Sequence, residues 1–167
     1  MAKRDKIIMS WSQCSVEIGV TPDDDSMATE LTDIGVIKDQ SAVLTPSDGN
    51  VLEAKQTGGG TVAKETQEGG YMLSLRVIEP TDALLTLLGL GEAAAEGGDF
   101  NVKTHIVDED FSVKLTPKNV GAKGIKAPLT AVTYKPGWSD QEGAYADIDF
   151  EILHGAADYW YSIFKKA

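Results

Sequence analysis

The chain has 167 residues, 42% of them hydrophobic, with 15 basic and 26 acidic side chains and a net charge of −11. That composition excludes a disordered chain and gives enough length for one domain with a full core, burying roughly 70% of the unfolded surface. A surface this acidic repels nucleic acid unless its basic residues are segregated, and the single cysteine, Cys14, excludes an internal disulfide.

The first residues, "MAKRDKIIMSWS", lack the apolar stretch of a signal peptide, and no run approaches the length of a membrane span. The expectation is a soluble chain made in the cytoplasm. Lys3, Arg4 and Lys6 at the start and Lys165 and Lys166 at the end form the only local basic clusters, and they read as solvated terminal charges.

Period-two alternation dominates from there on and predicts strands. Cys14, Val16 and Ile18 share one face, with Ser15 and Glu17 on the other. "TPDDDSMATE" (21–30) reads as a loop, followed by strand-like runs near 31–38 and 41–45. "PSDGN" (46–50) carries the strongest hairpin signal, Asp48-Gly49. Residues 51–56 and 61–67 flank a glycine tip, and Tyr71, Leu73, Leu75 and Val77 make a clean apolar face opposite a mixed one of Met72, Ser74, Arg76 and Ile78.

The period then changes. "PTDALLTLLG" predicts a short helix over 81–88, with Thr81 or Asp82 as N-cap and Gly89 as stop. Leu84, Leu85, Leu87 and Leu88 cover a wide arc, so the helix must be held by packing. "GLGEAAAEGGD" (89–99) reads as a flexible link. Alternation resumes at Phe100, Val102, Thr104 and Ile106, and again at Phe111, Val113 and Leu115. A loop is expected over 117–124, then a strand over 125–134 that Pro128 pushes toward an edge or a bulge. A last clear strand covers 145–153, and "DYWYSIF" (158–164) reads as a terminal strand or core plug. The fold class expected is mainly β: an antiparallel β-sandwich or barrel in one domain (1–167), two β-rich halves around one short helix, with an extended hairpin.

Catalytic and metal-binding patterns are weak. A phosphate loop needs its glycines and lysine at a strand-to-helix turn, whereas Lys64 lies between Ala63 and Glu65 ahead of another strand. Asp23-Asp24-Asp25 offers hard oxygen ligands, but Ala28 and Ile34 occupy the glycine and glutamate slots of an EF-hand. His105 and His154 fall on expected strands and have no His-x-x-x-His or cysteine partner for zinc. No nucleophile elbow occurs. The reading is therefore no catalytic residues, no metal and no cofactor.

Two patterns point to assembly instead. In "ADIDFEIL" (146–153), Asp147, Asp149 and Glu151 share one face, with Ile148, Phe150 and Ile152 on the other. In a monomer this is a solvated sheet face. Repeated around a ring, the same strand lines a negative lumen that a polyanion passes without sticking. The second pattern is "EAKQTGGGTVAKETQEGG", a ribbon polar on both faces with its tip at Gln56, Thr57, Gly58, Gly59, Gly60 and Thr61. An isolated hairpin is marginal in water and its edges invite pairing, so an assembly arm is expected.

Over residues 14–90 the chain resembles the major tail tube proteins of tailed bacteriophages, particularly those of Bacteroides-type hosts. The stretches that carry this are "LTDIGVIKD", "SDGNVLEAKQTGGG" and "RVIEPTDALLTLLG". The resemblance implies a β-sandwich or barrel with a flanking helix. It also implies hexameric rings joined sheet to sheet and stacked into a hollow virion tail tube that carries DNA. Partners would be other copies, other tail proteins and passing DNA, with no membrane. A related protein-delivering injection machine, another virion β-sandwich (head decoration or connector) and a carbohydrate- or ligand-binding β module built on Trp11, Trp138, Tyr159, Trp160 and Tyr161 remain open alternatives.

Overall fold

The computed structural model describes residue 8, residues 13–94 and residues 98–167. Its strands are β1 (Cys14–Val20), β2 (Thr32–Asp33), β3 (Val36–Ile37), β4 (Val43–Pro46), β5 (Val51–Lys55), β6 (Thr61–Thr66) and β7 (Tyr71–Ile78). The helix α1 (Asp82–Leu87) follows, then β8 (Gly91–Ala93), β9 (Phe100–Val102), β10 (Asp110–Pro117), β11 (Lys123–Ser139), β12 (Gly143–Ile152) and β13 (Ser162–Lys165). Nine of these strands form one antiparallel sheet in the order β2-β1-β10-β11-β12-β7-β3, with β13 beside the start of β11 and β4 beside β7. The sheet is curled into a half-barrel, with a single short helix among the described residues. It is not two packed layers, and the first and second halves of the chain interleave in it: β1 pairs with β10, and β7 with β12.

The alternation builds the core. Val16 and Ile18 of β1, Leu73, Leu75 and Val77 of β7, Phe111 and Val113 of β10, and Ile148, Phe150 and Ile152 of β12 all point to one buried face. The helix fills this face with Leu84 and Leu88, both buried, while Leu85 and Leu87 are half-buried against the same cluster. Six residues cannot hold a helix alone. Thr81 caps it, its Oγ1 accepting from the Leu84 N–H at 3.2 Å, and Gly89 at φ +72° ends it. Leu90, inside the segment expected to be a flexible link, is fully buried. The link is instead structured at both ends, because β8 pairs with β9 in a small hairpin.

The expected strand over 31–38 is broken by Gly35 at φ +105°, whose N–H is taken by Asp33 Oδ1 at 2.7 Å. The break lets one segment serve both edges of the sheet. Thr32 and Asp33 pair with β1, whereas Val36 and Ile37 pair with β7. Ile34, between them, plugs the gap and is fully buried.

Pro128 lies in a central strand, at the irregularity where Phe111 faces Thr130 but Val113 faces Ala127. The bulge removes the need for its missing N–H, and its carbonyl accepts from Thr21 Oγ1 and Ser112 Oγ, both at 2.8 Å. The alternation expected to continue through Thr104 and Ile106 stops at Val102. His105 and His154 are therefore not on strands, and both are exposed. The terminal segment docks as expected: β13 pairs with β11, and Trp160 and Tyr161 pack against the core.

Candidate functional site

The two candidate assembly features lie on one long hairpin and the strand beside it. Pro46 pairs with Tyr71 in β4–β7, and Val51 pairs with Thr66 in β5–β6. Ser47 N–H donates to the Gly70 carbonyl at 2.8 Å and Gln67 N–H to the Asn50 carbonyl at 2.7 Å, so the register runs unbroken through the junction. Asp48-Gly49 is thus not a chain reversal. It sits where the hairpin bends, and glycine is needed there: a Cβ on Gly49 would lie 1.5 Å from the Gln67 carbonyl oxygen, and one on Gly69 1.7 Å from that of Ser47. The reversal is at the glycine tip, with Gly58 and Gly59 at φ +100° and +92°.

Past the bend, the arm stands clear of the domain. Every residue of β5 and β6, and Gln56, Thr57, Gly58, Gly59 and Gly60 between them, is exposed. Its surface is less uniformly polar than the sequence alone implies. Val51, Leu52 and Val62 are each about half exposed or more, and Val62 is the extra residue of a bulge between Ala54–Ala63 and Lys55–Thr61. At its base, Trp160 Nε1 donates to Glu68 Oε1 at 3.1 Å, and Tyr71 meets Trp160 and Tyr161 edge-on. These aromatics are packed into a corner and form no open stacking platform.

Asp147, Asp149 and Glu151 do share the face of β12 opposite the core. They are not a row of bare carboxylates. The register places Arg76 of β7 and Lys135 of β11 on either side of Asp147. Arg76 Nε and Nη2 donate to Asp147 at 2.7 and 3.0 Å, and Nη1 donates to Glu142 Oε2 at 2.7 Å. Lys38 also pairs with Glu142, and Lys135 with Asp149 at 3.2 Å. The Arg76 guanidinium lies 4.2 Å from the centre of the Tyr145 ring. Hydrogen bonding from Arg76 holds the Asp147 carboxyl below its ordinary range, and Lys38 does the same for Glu142. Glu151 faces Met72 and Ala131 and makes no ion pair among the described residues. Arg76, Lys135, Asp147 and Asp149 border an open groove of about 540 Å³, walled on its other side by the turn at Lys38, Asp39, Gln40 and Ser41. Alternation had marked Arg76 only as part of a mixed face, because cross-strand partners depend on a register that a single strand does not carry.

Strands β4, β7, β12 and β11 therefore present one continuous face, polar except at exposed Val43 and Met72, and both lateral edges of this unit are open. On one side, β4 pairs only with β7 among the described residues. On the other, β10 stops at the Asp110–Ala131 pair, so residues 132–139 of β11 have no backbone partner opposite β12 among the described residues. Trp138, on this free stretch, is 74% exposed.

The other candidates do not converge on a site. Asp24 Oδ1 accepts from the Ser26 N–H at 3.2 Å and from its hydroxyl at 2.6 Å, and Asp25 accepts from the Ala156 N–H at 3.0 Å. Among the described residues no group of three or more His, Cys, Asp or Glu side chains is placed to hold a metal ion. Within the same residues, no helix is long and apolar enough to cross a membrane. Trp11, Lys3, Arg4 and Lys6 lie outside the described residues. The chain matches no known protein-family model, and no curated protein sequence matches it.

Proposed function

We propose that this chain is a self-assembling structural subunit of a bacteriophage virion, forming hexameric rings that stack into the tail tube through which DNA passes. The observation that carries this reading is the pair of open edges on the β4-β7-β12-β11 unit. Free strand edges in a sheet are templates for pairing with another chain. Joining the β11 edge of one copy to the β4 edge of the next continues the sheet, and a contact between two different edges closes into a ring when the rotation allows. The polar face of each unit then lies on one side of the ring wall. Asp147, Asp149 and Glu151 would line the lumen, with Arg76 and Lys135 neutralising the first two.

In this reading the protein is not an enzyme and uses no cofactor. Its partners are copies of itself, other tail proteins and DNA in transit. The arm at Gln56–Thr61 reaches a neighbouring subunit or ring. Sedimentation velocity at rising protein concentration tests the reading. The expected outcome is a discrete ring-sized species replacing the monomer, and a sample that stays monomeric at every concentration contradicts it.

A further inference from the structure

The basic side chains of the sheet face, the arm and the β8–β9 hairpin are all in ion pairs: Lys38, Lys55, Lys64, Arg76, Lys103 and Lys135. A second group is not. Lys114, Lys118, Lys126, Lys165 and Lys166 make no ion pair among the described residues. The fold gathers them at one end of the β10–β11–β13 region. Lys114 faces Lys126 directly across β10–β11, and both ammonium groups lie 5.2 Å from the centre of the Phe164 ring. Lys165 faces Lys123 across β11–β13, and Lys166 Nζ reaches the Lys118 carbonyl at 2.7 Å. Glu17 is paired in register with Lys114 but forms no ion pair with it. The terminal lysines are therefore not isolated solvated charges. They join the lysines of residues 114–126, a stretch with four lysines and no acidic residue, in one basic patch.

The opposite end of β10 is acidic. Asp108, Glu109 and Asp110 lead into the strand and are exposed. The loop carrying Asp23, Asp24 and Asp25 is tied beside them by the Thr21 N–H to Asp110 carbonyl bond at 3.0 Å. None of these six carboxylates is in an ion pair among the described residues. From Asp110 to Pro117 the strand spans about 23 Å, at ~3.3 Å per residue. That exceeds the Debye length of ~8 Å at physiological ionic strength, so the two ends act as separate charges of opposite sign.

We propose that these two ends form one contact between copies of this chain, the basic end of one seating on the acidic end of the next. A two-fold contact at either end would bring like charges together, so the charge pattern selects a head-to-tail join. Such a join repeats along an axis when the rotation between copies does not close it. The proposal rests on the tube reading above and assigns its stacking contact, with the open strand edges left to make the ring.

Charge reversal tests it. Lys118→Glu with Lys165→Glu makes one variant, and Asp108→Lys with Glu109→Lys the other; all four side chains are exposed and outside the ion pairs. Each variant alone is expected to associate at least about tenfold more weakly than the parent chain by light scattering. An equimolar mixture should recover association, because the reversed ends then complement each other. Association of the parent should also weaken as salt rises from about 0.05 to 0.5 M. Reversed variants that assemble like the parent, or a mixture that recovers nothing, overturn the proposal. So does loss of duplex-DNA binding by the first variant with self-association intact, which would assign the basic end to a polyanion. Charge-swappable chains without a central hole would keep this contact and remove the tube. Tubes indifferent to the swap would do the reverse.

Discussion

Arg76 grips Asp147 with two hydrogen bonds, from Nε at 2.7 Å and from Nη2 at 3.0 Å, across adjacent strands β7 and β12. This fork turns what the sequence displays as a carboxylate row into a charge-balanced face. The pair is partly exposed, so its expected worth is about 0.5–1 kcal/mol, and Asp147→Asn should lower stability by that amount at pH 7. Chemical denaturation of the two proteins checks it.

The same pair fixes a pH dependence. Asp147 and Glu142 are both depressed below their ordinary values of 3.8 and 4.5, chiefly by hydrogen bonds from Arg76 and Lys38 respectively. A depressed carboxyl binds protons more weakly folded than unfolded. Its contribution is therefore complete above the ordinary value and is lost as pH falls through the folded one. Thermal unfolding between pH 2 and 7 should show the gap between parent and Asp147→Asn widest above about pH 5 and closing toward pH 2. A gap that widens on acidification would reverse the sign.

Leu84 and Leu90 hold the helix and the segment after it, and both are fully buried. Leu84→Ala and Leu90→Ala should each cost about 2–5 kcal/mol, measured by urea denaturation. Thr81→Ala should cost about 1 kcal/mol through loss of the cap. A negligible effect at Leu90 would restore the flexible link expected from "GLGEAAAEGGD".

Deleting Gln56–Thr61 removes only exposed residues. The midpoint of thermal unfolding should stay within a few degrees of the parent, while self-assembly is lost. Gly69→Ala should leave the core intact but displace the arm, since its Cβ would lie 1.7 Å from the Ser47 carbonyl oxygen. Assembly that proceeds normally in the deletion variant would reduce the segment to a loop.

Glu151 is the acidic residue of β12 without an ion pair among the described residues, which makes it the cleanest probe of the lumen. Glu151→Lys alters the field of the polar face without disturbing the pairs of Asp147 and Asp149. Assembled tubes of this variant should retain DNA that parent tubes release, read by co-sedimentation at low salt. Equal release would place the strand elsewhere in the wall.

Strand identity was legible in the sequence wherever one face is buried, because the two-residue period of β1, β7, β10 and β12 reports burial directly. The helix was legible from its cap, its stop and its leucines. Pairing was not. Nothing local shows that Thr32–Asp33 and Val36–Ile37 serve opposite edges, or that Lys114 and Lys126 meet. Asp48-Gly49 misled because a bent hairpin and a reversed chain both call for glycine at a tight backbone approach. Pro128 was half legible: the bulge follows from its chemistry, and its central position follows only from what pairs on either side. The arm's glycine tip is legible, but the ribbon read as polar on both faces carries exposed Val62, and exposed Val51 and Leu52 lie just ahead of it.

Electron microscopy of the purified chain at rising concentration tests the central claim most directly. Stacked rings with a hollow centre, the β12 face turned inward, are the predicted result. A strictly monomeric chain, or fibres with no central hole, would contradict it.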